Sequence, residues 1–179
     1  MNRWLGSLLI MAVVGPATTR ALPAAADGPD VVISEFMASN TNTLLVGGAA
    51  PDWIELWNRG TAAADMSGWH LTDTAANLVK WTFPAGTTLP VDGRLLVYAD
   101  SAPTTAPPLH TNFGLSAGGE YLALTGTSGA IVSEYAPSFP AQTANISFGL
   151  GTNAITGFLL TPTPGTANSA AATGFATKP

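Results

Sequence analysis

PDWIELWN at residues 51–58, followed after a polar gap by SGWHLTD at 67–73, is the stretch that decides the fold. In the first piece Ile54 and Leu56 fall on one face, and Trp53, Glu55 and Trp57 on the other. In the second, Trp69 and Leu71 share a face, with His70 and Thr72 opposite. A period of two marks strands, not helices. Asn58-Arg59-Gly60 and Ser67-Gly68 between them are turn residues that tolerate unusual backbone angles.

Working outward, the same alternation or short apolar runs recur between turn signals. VVISEFM at 31–37 is a first strand, KWTF at 80–83 a fourth, and RLLVYA at 94–99 the most apolar, expected at the centre of a sheet. EYLAL at 120–124 and AIVSEY at 130–135, joined through Ser128-Gly129, form the strongest hairpin signal. Residues 144–150 are a last, weaker strand. Phe113 and Leu115 are placed to plug one end, and the insert Leu44-Leu45-Val46 must tuck against the body. No stretch beyond the N-terminal run carries helical apolar spacing. Eight or nine short strands separated by turns make an all-β sandwich or barrel.

Of the 179 residues, 9% are charged and none is cysteine, which excludes disulfides and thiolate metal sites. Residues 1–26 read as a signal peptide. Arg3 leads an apolar run from Leu5 to Val14, and Ala24-Ala25-Ala26 precedes Asp27, with cleavage after Ala26 favoured over Ala21. The run is too short to span a membrane, which takes about 20 apolar residues. Removing Arg3 and Arg20 leaves four basic residues against eleven acidic ones, a formal charge of −7. Arg59, Lys80, Arg94 and Lys178 are scattered and make no basic stripe, which argues against nucleic acid and anionic lipid. The chain is therefore expected to be secreted or displayed at a cell surface.

Taken in order, ISEFMASN at 33–40, PDWIELWN at 51–58, SGWHLTD at 67–73, KWTFPAG at 80–86, HTNFGLSAGGEYLAL at 110–124 and TPTPGTAN at 161–168 resemble the lamin tail domain, in the version found on secreted bacterial proteins. The resemblance implies an immunoglobulin-like β-sandwich over residues 30–169 and a binding or structural module, not an enzyme. The matching motif positions are Glu35, Asn40, Asp52, Trp53, Glu55, Asn58, Gly68, Trp69, Asp73, Trp81, Pro84, Gly119, Glu120, Pro164 and Gly165. One departure stands out: where bacterial versions carry Ser-x-Gly-Arg, this chain has Ser147-Phe148-Gly149-Leu150. Residues 170–179 have linker composition, as if the module belonged to a longer exported protein.

The chemistry-bearing residues have bland and sharp readings. His70 reads as a solvent-facing strand residue, and His110 as a loop residue bonded to backbone. No Gly-x-Ser-x-Gly elbow is present. Glu35 and Glu55 could be a glycosidase pair; the bland reading has them bonded to backbone amides or Arg59, or facing water. Asp65, Asp73 and Asp100 with loop asparagines could hold calcium, a weak signal with no EF-hand loop. Asn145-Ile146-Ser147 matches a glycosylation acceptor inside an expected strand. Trp69 and Trp81 read as core. Trp53 and Trp57, beside Glu55, read as a surface platform on which a sugar could stack. The leading expectation is a non-catalytic extracellular tethering or adhesion module without cofactor, whose partner is an extracellular protein or glycan.

Overall fold

The computed structural model describes residues 29–174. Among these residues twelve strands and no helix are found: β1 (Val31–Met37), β2 (Asp52–Asn58), β3 (Ala64–Asp65), β4 (His70–Thr72), β5 (Trp81–Thr82), β6 (Thr88–Leu89), β7 (Arg94–Ala99), β8 (Leu109–His110), β9 (Leu122–Thr125), β10 (Ile131–Tyr135), β11 (Ser147–Leu150) and β12 (Thr156–Leu159). A six-stranded sheet runs β12-β11-β1-β2-β7-β8, and a four-stranded sheet runs β10-β9-β4-β5; β3 and β6 pair separately. All pairings are antiparallel except β7 with β8. The fold is an all-β, immunoglobulin-like sandwich.

The core lies between the sheets. Ile33 and Phe36 of β1, Ile54 and Leu56 of β2 and Val97 of β7 meet Leu71, Trp81, Leu122 and Leu124 of the opposite sheet. Phe36 is the aromatic hub, with ring centroids 4.8 Å from Phe139, 4.9 Å from Tyr135 and 5.9 Å from Phe148. Phe113 and Leu115 are buried in the same core, as the sequence predicts.

Several expectations change. β1 and β2, not the more apolar β7, hold the centre of the large sheet; β7 has only two-residue β8 beyond it, and its Leu95 and Leu96 are half-exposed. The four strands missed by the sequence reading are β3, β6, β8 and β12, three of them two residues long and too short for any period to register. Leu45 does not tuck in: it is 58% exposed, just ahead of a turn closed by a Val46–Ala49 bridge. The chain also stays on the sheet past residue 169, where a linker was expected. Ala171 is buried, and Ala172 exchanges two backbone hydrogen bonds with Phe158 at the open edge of β12.

One irregularity positions everything that follows. Between Ile33 and Glu35 the β1–β2 register shifts, so Ser34 is an extra residue in β1. The bulge brings Glu35 opposite Glu55, both on the outer face of the large sheet, away from the core.

Candidate functional site

β2 shows why a period of two misleads here. Ile54 and Leu56 face the core, but Trp53 and Glu55 on the other face are as fully buried, at 0% exposure. The outer face of the large sheet is covered at Trp53, Glu35 and Glu55, and over the glutamates the cover is the segment after β12. Thr163-Pro164-Gly165-Thr166 is a type II turn, with proline second, Gly165 third at φ +80°, and the Thr166 N–H donating to the Thr163 carbonyl at 3.0 Å. Such a turn leaves its outward N–H groups free, and here they point down onto the two glutamates.

Glu35 accepts the Thr163 N–H at 3.0 Å and the Thr163 hydroxyl at 2.8 Å, and is also bonded by the Ser147 hydroxyl of β11. Glu55 accepts the Gly165 N–H at 2.7 Å and the Ser34 hydroxyl at 2.7 Å. Arg94 of β7 sits 3.5 Å from Glu55 through Nε, without an aligned hydrogen bond. Asn168 closes the segment by donating to the carbonyls of Ser34 and Leu150, both at 2.9 Å. Burial pushes the Glu55 carboxyl up to about 7, Glu35 beside it pushes the same way, and the hydrogen bonds and Arg94 pull against both. Burial also raises Glu35 above the usual carboxylate range.

The sugar platform is overturned. Trp53 is wholly buried, so it cannot form an exposed pair with Trp57. Trp57 is half-buried; its Nε1 donates to Asp92 at 2.8 Å and the Arg94 guanidinium lies over its ring at 4.7 Å. Trp81 is core, against Phe83 at 4.7 Å, while Trp69 is half-buried and packs against the core without being enclosed. His70 is buried, its Nδ1 2.9 Å from the Thr82 hydroxyl, where a solvent-facing residue was expected. His70 stands between its two in-sheet register partners, Thr82 of β5 and Thr125 of β9, whose side chains flank it on the face that local alternation assigns to water. His110 meets a side chain, not backbone: its Nδ1 is 2.8 Å from Asp100, and its ring lies 5.0 Å from Tyr98.

The other motif residues are staples. Asn40 donates to the carbonyls of Leu44 and Pro51, and its N–H reaches Asp52. Asn58 ties five backbone groups across two turns. Asp73 takes Lys80 at 2.6 and 2.8 Å. Glu120 accepts the Ser116 N–H at 2.7 Å, the Pro84 carbonyl accepts from Thr87, and Gly68 and Gly119 occupy positive φ. The calcium candidates are dispersed: Asp65 caps Ser67, Asp73 holds Lys80 and Asp100 holds His110, and among the described residues no group of three metal-ligating side chains forms. Asn145 lies in a turn ahead of β11, not in a strand, and its amide donates to Thr41 at 2.6 Å. The expected cleavage residues Ala26 and Asp27 lie outside the described residues.

Ser34, Arg94, Ser147, Thr163 and Asn168 belong to the site, and nothing in the sequence marks them as partners of Glu35 and Glu55. The available signal was TPGT at 163–166, which specifies a type II turn but not where it docks.

Two packed, almost wholly antiparallel sheets around one core make the chain an immunoglobulin-like β-sandwich domain. The family model described as Lamin Tail Domain matches residues 24–138, more than half of the sequence, and the chain belongs to that family. The family is one of non-catalytic immunoglobulin-like domains. The match ends before β11, β12 and the docked turn, which the structure nonetheless builds into the same large sheet. No curated protein matches the chain.

Proposed function

We propose that this chain is a non-catalytic extracellular interaction module, of the lamin tail version carried by secreted bacterial proteins, which tethers or adheres to an extracellular protein or glycan. The observation that carries the reading is the fate of Glu35 and Glu55. Acid–base chemistry needs a carboxyl within reach of a substrate proton. Both carboxyls here are sealed under residues 163–168 and accept hydrogen bonds from the chain itself. Family membership supports the same reading, as does the signal-like N-terminal sequence for export.

The test is a purified chain starting at Asp27, screened against immobilised glycans and surface proteins and, in parallel, against chromogenic glycosides. Saturable binding with no turnover is expected. Glycoside hydrolysis that disappears in Glu35→Gln or Glu55→Gln would overturn the proposal. Export is checked by the mass of secreted material, expected to begin at Asp27.

A further inference from the structure

The docked turn rests on an unbalanced charge pair. Two carboxyl groups lie on register partners of adjacent strands, both without exposure, and one guanidinium stands near them. Three elements besides β1 and β2 face the pair. β7 brings Arg94, β11 brings the uncharged Ser147, and the overlying segment 161–169 contains no ionisable side chain. Tyr135 of β10, whose hydroxyl donates to the Ile33 carbonyl, senses Glu35 but stays neutral, its phenol raised far from titration by burial. Two buried negative charges against one cation repel and are poorly solvated; one proton on the pair relieves both costs.

The segment is closed on itself at its base. The Ser169 hydroxyl donates to the Thr161 carbonyl at 3.2 Å, closing the base of the loop. Asn168, together with the Ser169 carbonyl that accepts the Thr152 N–H at 3.1 Å, fixes one end through groups that do not titrate. The turn between them reaches the sheet through Thr163 and Gly165, and both of those contacts are to the glutamates.

We propose that residues 161–169 form a pH-operated strap, with the Thr163–Thr166 turn docked while Glu35 and Glu55 hold one proton between them and released when both are ionised. Undocked, the glutamates regain water and their ordinary acidity, so docking takes up a proton and is favoured on the acid side. Asn168 acts as the hinge, and release uncovers an acidic patch on the outer face of β1 and β2.

Amide hydrogen exchange followed by NMR on the whole exported chain tests this. Between pH 5 and pH 8, protection of the Thr163 and Gly165 amides, corrected for the intrinsic pH dependence of exchange, should fall on the order of tenfold or more. The amides of Phe148 and Gly149 should hold. The midpoint of the fall should coincide with the titration of the Glu55 carboxyl carbon. In Glu55→Gln the side-chain carbonyl can take the Gly165 N–H and the amide can donate to Ser34, so the strap should stay protected at both pH values. Three results would overturn the proposal: protection that is flat with pH, a midpoint separate from that of the carboxyl, or a loss shared equally by β11. The wild-type titration decides even where the variant does not fold.

Discussion

Asn58 is buried at the end of β2 and does the work of a small turn by itself. Its Oδ1 accepts the N–H groups of Asp30 and Gly60, and its Nδ2 donates to the carbonyls of Ala62, Leu89 and Pro90. Removing it strands several buried polar groups, each costing about 1–3 kcal/mol when left unpaired. Asn58→Ala should therefore lower stability by about 3 kcal/mol, read as a urea midpoint. Asn58→Asp should not rescue it, because a carboxylate cannot donate to three carbonyls. A second contrast separates the tryptophans. Trp53→Ala empties a wholly buried site and should cost about 3–5 kcal/mol; Trp69→Ala, at a half-exposed site, should cost visibly less in the same melt. Sequence alternation ranks these two the other way. It reports which residues share a face but not whether that face is covered, and at Glu35 and Glu55 the cover comes from more than a hundred residues further along the chain.

Among the elements, β1 and its bulge are the most constraining. The extra residue Ser34 swings its backbone toward β11, and Gly149 is what meets it. A Cβ at Gly149 would lie 2.2 Å from the Ser34 carbonyl oxygen and 2.8 Å from the Glu35 Cα, both backbone atoms that cannot rotate away. Gly165 has open space around it and is constrained by its φ of +80° alone. Gly149→Ala should thus cost about 3 kcal/mol or more by forcing β11 off β1, and Gly165→Ala about 1 kcal/mol of backbone strain. Differential scanning calorimetry on the two variants checks the order, and equal losses would contradict it. The strands themselves were readable: β1, β2, β7 and the β9–β10 hairpin carry enough residues for alternation or turn chemistry to show. The bulge was not, because VVISEFM is apolar on both faces at its start and gives no register. The role of Gly149 was hidden for the same reason, since its constraint lies in a carbonyl 115 positions earlier in the chain.

At the scale of the molecule, buried carboxyls set the pH dependence of stability. Glu55 is held near 7 in the folded chain against an ordinary value of 4.5, chiefly by burial. Glu35, Asp52 and Glu120 are displaced in the same direction, again with burial the main cause. A carboxyl raised on folding binds its proton more tightly in the folded state. Its contribution is complete below the unfolded value of 4.5, and it is lost as pH climbs to the folded value of about 7. Asp65 works with the opposite sign, lowered by its hydrogen bonds to Ser67, but its loss falls at more acid pH, outside this window. The urea midpoint should therefore decline from pH 5 to pH 8. The part owed to Glu55 is about 3 kcal/mol at most. Glu55→Gln removes the titrating group while keeping one acceptor for Gly165, so its midpoint should change much less over the same range. It should cross the wild type, less stable at pH 5 and equal or better at pH 8. A wild-type midpoint that rises steadily to pH 8 would mean that the hydrogen bonds from Ser34, Ser147, Thr163 and Gly165 outweigh burial, and that the glutamates are held as charges after all.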